Sequence, residues 1–112
     1  MSVPAVGKPV RGSKTGRPIM VALDLLGRRG ALRILWELRG APMTFRALQD
    51  ACESNPSLLN VRLKELRESG LVLHAEGGYR LTKQGRSLST ALDPLNKWAT
   101  PWPPAQEGPP AQ

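Results

Sequence analysis

Cysteine, histidine, tyrosine and phenylalanine occur once each in this chain of 112 residues, and tryptophan three times. Each scarcity removes a class of protein. Cys52 alone cannot build an internal disulfide framework, so the fold must rest on packing and suits a reducing, cytoplasmic setting. His74 has no second histidine or cysteine at ligand spacing, which argues against a metal site. No apolar run approaches the ~20 residues of a membrane-spanning helix. The opening stretch, MSVPAVGKPVRGSKTGRP, has basic residues but not the continuous apolar core of a secretory signal. No nucleophile-base pair, paired-carboxylate site or phosphate loop is found, so neither an enzyme nor a cofactor is expected.

Basic charge is what the chain has in excess. Sixteen Lys and Arg against nine Asp and Glu give a net charge of +7, which favours a polyanionic partner, nucleic acid first. The surplus is uneven: eight of the basic residues but only two of the acidic ones fall in residues 1–40. Hydrophobic residues, 40% of the total, are enough for one packed core, and with so few aromatics the aliphatics must fill it.

Residues 1–17 are rich in Gly, Pro, Ser and Lys/Arg without a hydrophobic period and read as a flexible basic arm; residues 101–112 read as a proline-rich tail. Between them, residues 18–100 form an ordered series. Pro18 opens a helix with Ile19, Leu23 and Leu26 on one stripe, stopped at Gly27. A second helix runs from about Gly30 to Arg39 and buries Ala31, Ile34, Leu35 and Leu38. Thr44 caps a third, FRALQDAC, with Phe45, Leu48 and Ala51 or Cys52 inward. Asn55 and Pro56 start a fourth, PSLLNVRLKELRES, closed by Gly70. Two helices joined by so few residues suggest helix-turn-helix.

After Gly70 the period falls from about 3.6 to about 2. LVLHAE, Gly77-Gly78 and YRLT then make a hairpin with a two-residue glycine turn. A last helix begins near Lys83, with a kink or fresh start at Asp93-Pro94. The fold class is therefore mainly α with a small β-hairpin, a winged helix-turn-helix.

The order and the residues resemble the HxlR family of bacterial winged-helix regulators. The resemblance is carried by LLGRRGALRILWEL, by Phe45 and Leu48, by LxxLxxxGLV over Leu63 to Val72, by YxLTxxG over Tyr79 to Gly85, and by LDPLNKW. It implies a cytoplasmic dimer bound to an operator, with first and last helices at the interface. The chain departs from the family in having Gly16-Arg17-Pro18 where a cysteine usually precedes the first helix, Gly30 where a tryptophan usually starts the second, and a short wing.

At about 100° per residue, burying Leu59, Leu63 and Leu66 turns Ser57, Asn60, Val61 and Lys64 outward, with Arg62 at the flank. Ser57, Asn60 and Val61 are the candidate base readers; Arg62 and Lys64 are candidate phosphate contacts, joined by Thr44 and Arg46 at the third helix, and Arg80 in the wing is a candidate for a backbone or minor-groove contact. Lys8, Arg11, Lys14 and Arg17 of the arm fit either a segment that follows the adjacent groove or a solubilising tail. Ile19, Met20, Leu88, Leu92, Leu95 and Trp98 exceed what so small a core needs and form the expected homodimer surface. Cys52 reads as core filler. A small-molecule effector stays open, as does the competing reading of a winged-helix module for protein contacts without DNA.

Overall fold

The computed structural model describes residues 3–105. In chain order it comprises α1 (Pro18–Leu26), α2 (Ala31–Glu37), α3 (Phe45–Cys52), α4 (Pro56–Glu68), β1 (Val72–Ala75), β2 (Gly78–Leu81) and α5 (Lys83–Ala99). Helix starts lie where a side-chain oxygen takes over an otherwise orphaned amide. Ala47 N–H donates to Thr44 Oγ1 at 3.1 Å, Leu58 N–H to Asn55 Oδ1 at 2.8 Å, and Gly85 N–H to Thr82 Oγ1 at 3.0 Å. α4 closes as the sequence predicts: Gly70, at φ +78, donates to the Arg67 carbonyl and Leu71 N–H to that of Leu66, both at 3.0 Å.

The core lies between α2, α3, α4 and the hairpin. Ile34, Leu35, Leu48, Leu59, Leu63 and Leu66 are its largest fully buried side chains. Thr82 ties this core to α5, its hydroxyl donating to Gly70 O at 2.6 Å and its amide to Leu71 O at 3.0 Å. The packing is so close that a Cβ on Gly85 would sit 2.1 Å from Leu71 O. This is the physical content of the Tyr79-to-Gly85 element.

Several expectations need correction. On α1 the buried residues are Val21 and Leu25, while Ile19 and Leu23 are exposed; nearly all of PIMVALDLL is apolar, so spacing does not choose a face. The turn residues of the hairpin are Glu76 and Gly77, because Gly78 pairs with Ala75 inside the ladder. The reason is a third extended segment. Met43 exchanges backbone hydrogen bonds of 2.9 and 2.8 Å with Tyr79, and a Cβ on Gly78 would lie 2.3 Å from Met43 O. Within the ladder Val72, opposite Leu81, is buried, and Leu73, opposite Arg80, is only half-buried.

α5 passes unbroken through Pro94, so no fresh helix starts at Asp93. Pro94 and Thr90 are both exposed, and water can serve the Thr90 carbonyl that lacks a helical donor. Residues 3–17, expected as a free arm, are folded back: Val3 packs on the core and Pro4 is buried. The glycines that suggested disorder instead make turns, with Gly7, Gly12 and Gly16 all at positive φ. Of the expected proline-rich tail, residues 106–112 lie outside the described residues, as do residues 1–2 of the arm. No described helix is long and apolar enough to cross a membrane.

Candidate nucleic-acid interface

α4 has one side in the core and one in water. With Leu59, Leu63 and Leu66 buried, Ser57, Asn60, Val61 and Lys64 are exposed, Val61 at 50%. Among the described residues Asn60 makes no side-chain hydrogen bond, and Lys64 has only a 4.0 Å approach to Glu68, with its own side chain 76% exposed. An ion pair this long and this wet holds little energy. The amide and the ammonium are therefore available to a partner.

The hairpin extends the same side of the molecule. Asn60, Lys64 and Arg67 share a groove of about 750 Å³ with His74 and Tyr79. The His74 ring stacks flat on Tyr79, centroids 4.1 Å apart and planes 4° apart. From the sequence His74 is only a lone strand residue; its place beside α4 follows from the Tyr79 register, which no local pattern announces. Arg80 is exposed on β2, and Arg46 is exposed in the first turn of α3. Thr44 is exposed too, with its side-chain oxygen engaged by the cap of α3.

Arg62 is placed differently from the expectation. Its Nε donates to Arg29 O at 2.7 Å and its Nη1 to Glu65 Oε1 at 3.1 Å, while Arg28 Nη1 donates to the other oxygen, Glu65 Oε2. All three side chains are only 17 to 18% exposed. One carboxylate thus joins the α1–α2 turn to α4, and Arg62 holds the helix in place instead of projecting from it. Sequence reasoning misses this clamp because Arg28 and Glu65 stand 37 positions apart.

Other cations are similarly occupied. Arg33 donates to Glu37 at 2.8 Å and to Ala51 O at 2.7 Å, and its hydrogen bond to the Glu37 carboxylate raises its pKa. Arg39 lies 3.7 Å over the Trp36 ring. Cys52 is half-buried; burial pushes its thiol pKa up, which the nearby Arg33 only partly offsets. No group of side chains among the described residues is arranged to hold a metal ion.

The six residues expected at a dimer surface divide. Ile19 (60%), Leu95 (54%) and Trp98 (60%) are open to solvent. Met20, Leu88 and Leu92 are half-buried, Leu88 against the core and Leu92 in a groove of about 220 Å³ with Leu32, Trp36 and Leu95.

Residues 25–107 match the HxlR-like helix-turn-helix family. The chain belongs to that family. Among the proteins to which this HxlR-like chain is similar are two from Bacillus subtilis named as HTH-type transcriptional regulators. YdzF is 34% identical over 102 residues, covering 82% of this chain and 89% of that protein. YvaP is 30% identical over 89 residues, covering 72% and 82%. The structure of quinone-bound YodB from B. subtilis matches with a TM-score of 0.69 and 28% identity over 73% of this chain and 94% of that one. PA1607 matches with a TM-score of 0.71 over 92% and 77%, and at 24% identity it shows the fold alone. This HxlR-like protein is thus a winged-helix transcription regulator and not an enzyme.

Proposed function

We propose that this HxlR-like protein acts as a homodimer on a near-palindromic operator in double-stranded DNA, with α4 in the major groove. The observation that carries the reading is the uncommitted outer face of α4. The amino-terminal part of a recognition helix approaches base edges. There Asn60 is suited to bond adenine twice and Val61 to lie against a thymine methyl, with Ser57 beside them. Lys64, Arg46, Thr44 and Arg80 hold phosphates on either side. Arg62 contributes by orienting α4 through Glu65.

The two-fold partner covers Ile19, Leu95 and Trp98, with Met20, Leu88 and Leu92 below them, and brings the two α4 helices about 34 Å apart, one turn of DNA. Residues 18–100 are the DNA-binding unit in this reading, and a cytoplasmic setting goes with it. The quinone bound to YodB supports including a small-molecule effector.

Selection from random duplexes by the purified protein tests the proposal, repeated with Asn60→Ala and Lys64→Ala. The parent protein should recover a two-fold-related site. Asn60→Ala should lose about 1–3 kcal/mol of discrimination at one position in each half-site. Lys64→Ala should weaken binding evenly and lower the salt slope by about one. Failure to enrich any sequence, or to retain duplexes at low ionic strength, overturns it.

A further inference from the structure

We infer that the cavity between the amino-terminal segment, α1 and the α4–α5 junction is a binding site for a small apolar molecule with an amine or other cationic head. Its volume, about 480 Å³, lies within the ~300–1,000 Å³ of small-molecule pockets. Val21 and Leu25 of α1 line one side and Leu71 and Leu88 another, and residues 3–6 close it over. Its polar groups are gathered on the last turn of α4 and the first of α5: Glu68, Ser69 and Gln84.

The segment over the cavity is built to stay there. Gly7 N–H donates to Gly16 O at 3.0 Å, Val10 and Ser13 exchange bonds of 2.8 and 3.0 Å, and Ser13 Oγ accepts from Gly16 N–H at 3.1 Å. A Cβ on Gly16 would fall 2.1 Å from Lys8 O, so this crossing requires glycine. The loop brings Val3 onto the core and buries Pro4. It is a folded cover over α1, not a tail in passing.

Charge selects the ligand. In a chain of net charge +7 the described residues lining this cavity include no Lys or Arg, and Glu68, at its border with the α4 groove, is the one charged residue among them. The groove beside α4 sets Lys64 and Arg67 against Glu68, and two smaller cavities set Arg29, Arg33 and Arg62 against Glu53, or Arg11, Arg28 and Arg62 against Asp24 and Glu65, so each keeps an excess of cations. An anionic head finds no cation here. A cation entering here meets a carboxylate whose partner, Lys64, stands 4.0 Å away and 76% exposed. The bound molecule would touch the carboxyl end of α4, whose outer face is the proposed reading surface. The binding assignment itself does not depend on DNA.

The test uses the full chain alone, with 1-naphthylmethylamine and 1-naphthaleneacetate as probes of one apolar body and opposite charge. Backbone amide NMR shifts should change saturably at Val3, Val6, Ser69 and Leu71, with the amine binding about tenfold more tightly than the acid. Glu68→Gln, at a half-exposed side chain, should bring the two affinities together. Ala22→Trp should fill the cavity and remove both responses; if that variant fails to fold, the Glu68→Gln comparison still decides. Equal affinities in the parent protein overturn the assignment. So do shifts confined to the Leu32-Trp36 groove, or no saturable shift with either probe, as expected if a second copy of the chain fills the space.

Discussion

α4 and α5 carry the same kind of pattern, leucines at helical spacing on an otherwise polar rod, and they end in opposite states. In α4 the stripe Leu59, Leu63 and Leu66 is at most 2% exposed, and only the polar side meets water. In α5 the one fully buried residue is Gly85, while Leu95 and Trp98 stay more than half exposed. Trp98 does not lie bare on a polar surface; it meets Trp102, centroids 4.9 Å apart, and the pair faces solvent. An amphipathic stripe therefore tells which side of a helix is apolar but not whether the same chain supplies its cover. α4 is finished within the monomer; the stripe of α5 stays open there.

The comparison breaks most visibly on truncation. Leu63→Ala removes a core side chain and should cost about 2–5 kcal/mol in denaturant unfolding, the range for a buried leucine whose site cannot fully collapse. Leu95→Ala should change monomer stability by less than about 0.5 kcal/mol, as exposed substitutions do. Equal losses at the two positions would mean that the α5 stripe is core after all.

How much of this was legible from the residues depends on the range of the interaction. The inward faces of α2, α3 and α4 follow from spacing alone, and their ends from Thr44, Asn55, Pro56 and Gly70, because caps act within one turn. The outer face of α4 follows by exclusion once Leu59, Leu63 and Leu66 are inside. What spacing misses is set across the fold. Met43 moves the hairpin turn by one residue by pairing with Tyr79. Glu65 withdraws Arg62 from the surface by reaching Arg28. In residues 3–17, Gly7, Gly12 and Gly16 look like the composition of an unfolded arm, yet each supplies a left-handed turn that returns the segment to α1.

The second way to sharpen the comparison is to charge the open stripe. Leu95→Asp with Trp98→Asp should raise the dimer dissociation constant about 100-fold or more, since aromatic and aliphatic anchors in interface centres are worth ~2 kcal/mol or more each. Sedimentation at micromolar concentration would show a monomer, and its unfolding midpoint should no longer rise with protein concentration as that of a dimeric parent does. A parent protein already monomeric at that concentration would remove the dimer from the proposal while leaving the α4 face untouched.

A smaller loss than that of Leu63→Ala tests the join between the two regions. Glu65→Gln removes the charge that holds Arg28 and Arg62 but keeps the side-chain shape. With the three side chains at 17 to 18% exposure the pair is screened only in part, so the loss should be about 1–2 kcal/mol of stability, below the figure for a deeply buried ion pair. Its second readout separates orientation from contact. If Arg62 positions α4, Glu65→Gln should weaken duplex binding without changing the preferred bases, and Arg62→Gln should do the same without lowering the salt slope. If Arg62 instead held a phosphate, Arg62→Gln would lower that slope by about one and Glu65→Gln, by freeing the guanidinium, would strengthen binding. The two substitutions thus move together under a positioning role and apart under a contact role.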